Sequence, residues 1–152
     1  MNYWLMKSEP DVFGIDDLKK VKKEPWDGVR NYQARNYMRD EMKKGDLVLF
    51  YHSNSKPAGI AGLMEISKES HPDPTCWDKK SNYYDSKSTK ENPRWFMVEV
   101  KYKKKFKEII SLETIKNTKA LSTMKIAQKG NRLSITPVTE KEFNYVLELA
   151  KA

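Results

Sequence analysis

The segment Leu47-Val48-Leu49-Phe50-Tyr51 is the longest unbroken apolar run in the chain, and the fold is best worked out from it in both directions. Five consecutive apolar residues are typical of a strand buried inside a sheet, and they fall far short of the roughly 20 needed to cross a bilayer. Upstream, Asn31 can cap a helix that runs from about Tyr32 to Lys44, and Gly45 can end it in the left-handed conformation. The sequence therefore predicts a helix, a tight stop and a buried strand in succession.

Further elements surround this unit, and no linker or internal repeat divides the chain. Two glycines in the next strand allow a bulge or strong coiling, which helps a sheet to close into a barrel. The predicted elements are strands at Tyr3–Lys7, Gly59–Ile66, Trp95–Phe106 and Arg132–Val138, helical turns at Gly14–Leu18 and Ser111–Lys119, a long loop at Ser67–Pro93, and a C-terminal helix after the capping box Thr139–Glu142. They predict a single α+β domain over residues 1–152: a mostly antiparallel β-barrel with flanking short helices and a C-terminal helix.

The charge of the chain is uneven. Its net charge is +8 over 152 residues, and the whole excess lies in residues 76–152. Such a balance favours polyanionic partners, although lysines that only solubilise the surface would produce it equally well. The single cysteine, Cys76, has no partner for an internal disulfide. That fits a reducing interior, so we expect a cytoplasmic location without membrane contact.

Motifs for catalysis or for a cofactor do not stand out. The sequence has no phosphate-binding loop, dinucleotide fingerprint or nucleophile elbow, and one Cys with two His gives no metal-ligand spacing. His71-Pro72-Asp73 is a weak candidate for a metal site. His52 and Ser53 are neighbours on a strand and point to opposite faces, which argues against a direct base–nucleophile pair. We therefore expect no enzyme, no cofactor and no bound metal.

Two segments combine aromatic rings with amides and hydroxyls. Trp26–Gln33 leads into the first clear helix, and Tyr51–Ser55 ends the buried strand. An extruded nucleic-acid base needs flat aromatic walls and hydrogen-bonding groups at its edge, and these segments supply both. The competing interpretation places the tryptophans in the core. The sequence pattern favours the core for Trp4 and Trp95, which lie in predicted strands. For Trp26 it does not decide between a core position and a pocket position.

Basic side chains near these segments could follow a nucleic-acid backbone. Lys101, Lys103 and Lys105 occupy the outward face of the long strand, where they could also serve only to protect a solvated edge. Arginines on or near the first helix offer further phosphate contacts. The candidates for backbone contact are Arg35, Arg39, Lys101, Lys103 and Lys105.

These segments together resemble the EVE domain, a member of the PUA-like barrel superfamily related to the YTH readers of methylated adenine. The resemblance runs in order along nearly the whole chain, through Tyr3–Pro10, Trp26–Asn36, Gly45–Ser53, His71–Thr75, Pro93–Trp95 and Arg132–Val138. It implies a PUA-like barrel with a pocket for a modified base, usually a modified cytosine in DNA. Carried onto matching positions, the implied base-binding residues are Lys7, Ser8, Trp26, Arg30, Asn31, Tyr32, Gln33, Tyr51, His52, Ser53, Arg132 and Ser134.

Some features depart from this resemblance, and two other functions compete with it. Pro57-Ala58-Gly59 stands where the family has Pro-Gly, and the basic N-terminal extension of eukaryotic members is absent, so nuclear localisation is not expected. A metal-independent ribonuclease of the ASCH type could use Lys7, Tyr51 and His52 for acid–base cleavage. A protein-interaction adaptor with a merely structural pocket is the second alternative. We expect a monomer that binds DNA or RNA, and the sequence leaves a free nucleoside open as the ligand.

Overall fold

Six strands form one mixed sheet in the computed structural model, which describes residues 1–151. The strands are β1 (Tyr3–Ser8), β2 (Lys23–Pro25), β3 (Leu47–His52), β4 (Gly59–Pro72), β5 (Phe96–Ser111) and β6 (Ile135–Val138). The α-helices are α1 (Pro10–Phe13), α2 (Ile15–Val21), α3 (Tyr32–Asn36), α4 (Leu112–Asn117) and α5 (Glu140–Lys151). Short 3₁₀ turns lie at Pro74–Trp77, Lys119–Leu121 and Lys125–Ala127. The α+β class predicted from the sequence is confirmed.

The strand order is β2-β5-β4-β3-β1-β6. β1 pairs with β3 in parallel and every other neighbouring pair is antiparallel, so the mostly antiparallel prediction is confirmed. The prediction of a closed barrel is wrong, because β2 and β6 are edge strands with no pairing between them in residues 1–151. Each edge strand has only three or four residues and pairs with a single neighbour. The sheet coils but stays open.

The central strands β4 and β5 are longer than their apolar pattern predicts. β4 continues through Ser67 to Pro72, into the stretch predicted as loop, because these polar residues pair with β5 in an outer two-stranded ribbon. Register shifts interrupt the β4–β5 ladder at several points and allow the ribbon to bend. At Gly62 a side chain would collide with the backbone oxygen of Lys104, so glycine permits the close approach of the two strands.

The first clear helix begins where predicted and ends sooner. The Asn31 side chain accepts a hydrogen bond from the Ala34 N–H at 3.0 Å, which confirms the predicted cap. After Asn36 the helix widens into a π-helical turn that ends at Glu41, not at Lys44. Gly45 has the predicted left-handed conformation, with φ of +97°, but it lies in the turn before β3 and does not end the helix, whose C-cap is the extended Met42.

Both faces of the sheet are covered. Alternate residues of β1 and β3 point to opposite sides, so Met6 and Phe50 join one core with Trp26, whereas Leu49 and Tyr51 join a second core with α5. This double burial explains the unbroken apolar run of β3. It also places Tyr51 and His52 on opposite faces of the sheet.

Helices α2 and α5 confirm two further predictions from the sequence. Ile15 and Leu18 face the first core, as predicted, although α2 extends to Val21. The capping box at the start of α5 is present: the Thr139 N–H donates to Glu142 at 2.9 Å, and the Glu142 N–H donates to the Thr139 hydroxyl at 3.1 Å. Within residues 1–151, every helix is too short or too polar to span a bilayer.

Candidate functional site

A cavity of about 270 Å³, here the Trp26 cavity, opens beside the end of β1. Five of the sequence-predicted site residues line it: Lys7, Ser8, Trp26, Arg30 and Ser134. The other lining residues are Val12, Phe13, Glu24, Pro25, Asp27, Gly28, Val29 and Tyr83. The cavity therefore combines aromatic and apolar walls with carboxylates, hydroxyls and two cationic side chains.

Trp26 belongs to both the core and the cavity, which resolves the alternative that the sequence left open. The residue is 8% exposed, and its ring makes a T-shaped contact with Phe50 at a centroid distance of 5.6 Å and an angle of 85°. Phe13 makes a second T-shaped contact at 6.5 Å, and the backbone N–H of Trp26 donates to the Val98 backbone oxygen at 2.7 Å. Two aromatic contacts to the ring and a backbone hydrogen bond at the same residue therefore hold Trp26 in place before any ligand binds.

Asp73 organises the loop that follows Trp26. Its buried carboxylate accepts hydrogen bonds from the Gly28 N–H at 2.8 Å, the Arg30 guanidinium at 3.2 Å, and the N–H and hydroxyl of Thr75 at 2.9 and 2.6 Å. Burial alone would raise the pKa of Asp73, but these hydrogen bonds outweigh it and hold the pKa below its usual value. Asp73 is thus an ionised anchor behind the cavity wall.

Tyr83 is an exposed aromatic residue in the lining of the cavity. Arg30 donates to the Tyr83 backbone oxygen at 2.8 and 3.1 Å, and its guanidinium lies 5.3 Å from the centre of the Tyr83 ring. A Cβ at position 28 would lie 2.6 Å from the Tyr83 ring, and φ at Gly28 is +77°, so only glycine suits this position. Sequence reasoning missed Tyr83; its only signal was the Tyr83-Tyr84 pair within a polar stretch.

Two carboxyl groups face the cavity with perturbed acidity. Burial and the neighbouring Asp27 raise the pKa of Glu24, and burial and the neighbouring Asp73 raise the pKa of Asp27. A carboxyl group that holds its proton more tightly can donate one hydrogen bond and accept another. Neither residue was singled out from the sequence, because Glu24 and Asp27 look like ordinary surface acids there.

The raised pKa values predict that ionisation of Glu24 and Asp27 lowers the free energy of unfolding. A carboxyl whose folded pKa lies above its unfolded value loses stability as the pH rises through the folded pKa. We expect the double variant Glu24→Gln/Asp27→Asn to have a larger free energy of unfolding than the wild type at pH 7. The gain should vanish below about pH 4, where the acids are protonated in both states. Urea unfolding at a series of pH values measures it.

Glu65→Gln is the matched control for this prediction. A hydrogen bond from Lys101 lowers the pKa of Glu65, so its removal is expected to change stability at pH 7 in the opposite direction. A double variant that is less stable than the wild type at pH 7 would contradict the inference that ionised Glu24 and Asp27 destabilise the folded protein.

Tyr51 and Ser53 line a different depression from Trp26, and Lys7 is the residue common to both. His52 lines neither of these two. Its Nε2 accepts a hydrogen bond from the Ile15 N–H at 3.1 Å, and burial lowers its pKa, so it is a neutral structural acceptor at the start of α2. The strand alternation that separates Tyr51 from His52 therefore prevents the predicted grouping of all three residues in one pocket.

The predicted residues on α3 form a separate surface patch. Asn31 is occupied as the helix cap, and Gln33 donates to the Tyr37 hydroxyl at 3.1 Å. Tyr32 stacks on Trp95 with centroids 4.9 Å apart, and the Arg35 guanidinium lies 4.8 Å from the Tyr32 ring. None of these four predicted residues lines the Trp26 cavity.

The predicted backbone-contacting cations are largely paired within the protein. Lys101 and Lys103 lie 2.8 and 3.8 Å from Glu65 carboxylate oxygens, and Lys105 lies 2.8 Å from Asp16. Arg39 pairs with Asp40 at 2.8 Å, and Arg35 donates to the Arg94 oxygen at 2.9 Å. Arg132 lines neither the Trp26 cavity nor the Tyr51 depression.

The part of the chain that the structure describes contains no candidate metal centre. No group of three or more His, Cys, Asp or Glu side chains is placed to hold an ion there. Of the candidate triplet His71-Pro72-Asp73, the aspartate is occupied by Arg30, Gly28 and Thr75, and the His71 ring lies 3.0 Å from the Glu69 oxygen.

Known proteins resemble this chain over its full length. Thymocyte nuclear protein 1 from Danio rerio is 46% identical over 165 residues, covering 96% of this chain and 71% of the relative. The cytoplasmic location predicted from the sequence finds no support in relatives named as nuclear.

Solved structures share the fold closely. A protein from Pseudomonas syringae superposes with a TM-score of 0.93 at 45% identity, covering 97% of this chain and 99% of the other. Human THYN1 in complex with 5-methylcytosine-containing DNA superposes with a TM-score of 0.93 at 43% identity, covering 100% and 99%. The family model described as the EVE domain matches residues 2–149. The chain belongs to the EVE domain family.

Proposed function

We propose that this protein binds DNA by holding one modified base, a 5-methylcytosine or a close analogue, in the Trp26 cavity. The observation that carries the proposal is the cavity itself, a preformed aromatic and polar recess of about 270 Å³. This is slightly smaller than the roughly 300 to 1,000 Å³ of pockets for drug-sized ligands, and so suits a single planar base. The human relative captured with 5-methylcytosine DNA supports the choice of ligand.

The aromatic walls supply the stacking part of the interaction. Trp26 is held by Phe13 and Phe50, and Tyr83 supplies a second lining ring at Gly28, where the missing side chain leaves room for it. A rigid wall loses little side-chain freedom when it binds, which favours affinity. Stacking one base on one aromatic ring is worth about 1 to 3 kcal/mol. Selectivity then depends on the groups at the edge of the base.

The cavity acids provide complementary edge contacts for a cytosine ring. Cytosine presents an exocyclic amino donor beside its ring nitrogen N3, which is an acceptor. A carboxylate accepts from the amino group, and a carboxyl group that takes up a proton on binding also donates to N3; the raised pKa values of Glu24 and Asp27 make that uptake easier than at an ordinary surface acid. Thymine, with a carbonyl in place of the amino group, reverses the donor pattern. The pair therefore favours cytosine over thymine.

The geometry argues against the ribonuclease alternative. Acid–base cleavage by Lys7, Tyr51 and His52 requires the three side chains to surround one scissile group. Lys7 and Tyr51 share a depression, but His52 lies on the opposite face of the sheet, where its Nε2 is occupied by the Ile15 N–H. We therefore propose a binding protein and not an enzyme.

The PUA-like architecture is also kept as a proposal. The interrupted β4–β5 ladder supports it, because bulges of this kind are the devices by which sheets acquire barrel-like curvature.

A direct binding comparison tests the proposed function. Fluorescence anisotropy should be measured with duplexes that differ only by 5-methylcytosine or cytosine at one position, at a fixed salt concentration. We expect about fourfold tighter binding of the methylated duplex, because burying one methyl group is worth about 0.8 kcal/mol. Free 5-methylcytidine should compete weakly at the same site. Equal affinity for the two duplexes would contradict the proposal.

A further inference from the structure

A larger groove adjoins the Trp26 cavity and shares Lys7 with it. This groove, here the Lys116 groove, has a volume of about 740 Å³ and is lined among others by Lys7, Tyr51, Lys116, Gln128, Lys129 and Asn131. Of these residues, only Lys7 and Tyr51 were candidates from the sequence. The two depressions meet at Lys7, at the end of β1.

The charge of the Lys116 groove is one-sided. Three lysines line it, and no aspartate or glutamate within residues 1–151 does so, although the chain has 21 acidic residues. Its remaining polar lining consists of amides and hydroxyls, which suit phosphate and sugar oxygens. The outward lysines of β5 contrast with this arrangement, because Lys101, Lys103 and Lys105 are already paired with carboxylates.

Lys7 is the strongest single indication of an anionic ligand. It is half-buried, and among residues 1–151 it takes part in no ion pair. Burial lowers the pKa of Lys7 with no carboxylate to oppose the effect. A cation withdrawn from water without a counterion is costly for the folded protein. A phosphate placed beside Lys7 would remove that cost.

We propose that the Lys116 groove binds the sugar–phosphate backbone of the strand that carries the modified base. Lys7 contacts the phosphate next to the extruded nucleotide, and Lys116 and Lys129 contact phosphates further along. This inference rests on the proposed function, since it assumes that a base occupies the Trp26 cavity. Continuity of the two depressions at Lys7 favours a nucleic-acid strand over an acidic peptide, which would not need the cavity.

The test compares two charge-matched double variants. Lys116→Gln/Lys129→Gln removes exposed groove lysines, and Lys101→Gln/Lys103→Gln removes the same charge from the paired lysines of β5. Binding of methylated and unmethylated duplexes is measured between about 50 and 200 mM salt. We expect the groove variant to flatten the slope of log K against log salt by nearly one unit per lost contact, up to about 1.8 units. The β5 variant should keep the wild-type slope.

The experiment can contradict the groove proposal and the base-cavity proposal independently of each other. Loss of phosphate contacts weakens both duplexes equally, so the groove variant should keep the wild-type preference for the methylated duplex. An unchanged slope in the groove variant, or an equal change in the β5 variant, would overturn the groove proposal. Tight binding of poly-glutamate to the groove would overturn it in favour of an acidic peptide. A wild type that binds both duplexes equally would instead overturn the proposed function. The comparison of salt slopes would still show whether the groove lysines contact phosphates.

Discussion

Replacing Trp26 by leucine is expected to abolish the preference for a methylated base and to weaken binding by about 1 to 3 kcal/mol, or roughly 5- to 150-fold. The indole is packed into the core, in T-shaped contacts with Phe13 and Phe50, and also forms part of the cavity wall. Leucine retains an apolar side chain but offers no flat face. Anisotropy titrations of the matched duplexes measure the loss.

Trp4→Leu is the matched control. Trp4 belongs to the same hydrophobic core as Trp26, but its indole N–H donates to Asp46 at 3.0 Å and the residue does not line the Trp26 cavity. Both variants are expected to lose stability, so titrations are made at a temperature where circular dichroism shows each to be folded. A folded Trp26→Leu protein that keeps the methyl preference, or an equal loss in Trp4→Leu, would contradict the stacking assignment.

Replacing Asp73 by alanine is expected to lower the free energy of unfolding by about 3 to 5 kcal/mol, because it leaves a partly buried guanidinium without its counterion. The Asp73 side chain is 0% exposed, and Arg30 and Gly28 both depend on it. The same change should loosen the Trp26–Arg30 loop and weaken DNA binding. Urea unfolding followed by tryptophan fluorescence measures the stability.

The pH dependence of this effect has a definite sign. Hydrogen bonds hold the folded pKa of Asp73 below its unfolded value despite burial, so its stabilisation is complete above about pH 4 and is lost as the pH falls through the folded pKa. The wild type and Asp73→Ala should therefore converge in strong acid. Asp85→Ala is the control, since that carboxylate is partly exposed and lies 3.4 Å from Arg94. If Asp85→Ala lowered the free energy of unfolding as much as Asp73→Ala, the large effect at Asp73 could not be attributed to its burial.

Local features of the fold were predictable because their causes lie within a few residues. The Asn31 cap, the left-handed Gly45 and the Thr139–Glu142 capping box each depend on neighbours in the sequence. The length of β4 was not predictable in this way. Its polar half from Ser67 to Pro72 is held by pairing with β5, and that pairing overrides its poor strand pattern.

The candidate site was predicted in part, for similar reasons. Trp26, Arg30, Lys7, Ser8 and Ser134 were identified and do meet at one cavity. Tyr51 and His52 were assigned to one pocket from the family resemblance, although the period of two in a strand separates them. Tyr83 was not identified, and Asp73 was considered only as a weak metal ligand, because each acts on the Gly28–Arg30 turn from more than 40 positions away, where no local pattern marks the contact.

The place of β1 in the sheet has a consequence for synthesis on the ribosome. β1 lies between β3 and β6, and its partner on one side, Ile135–Val138, follows it in the chain by more than 120 residues. Until those residues emerge, one flank of β1 presents unpaired backbone groups, which invite association with other nascent chains. Pairing of β1 is therefore completed only after residues 135–138 have been synthesised, and a chain that stalls before residue 135 is left with one edge of β1 unpaired.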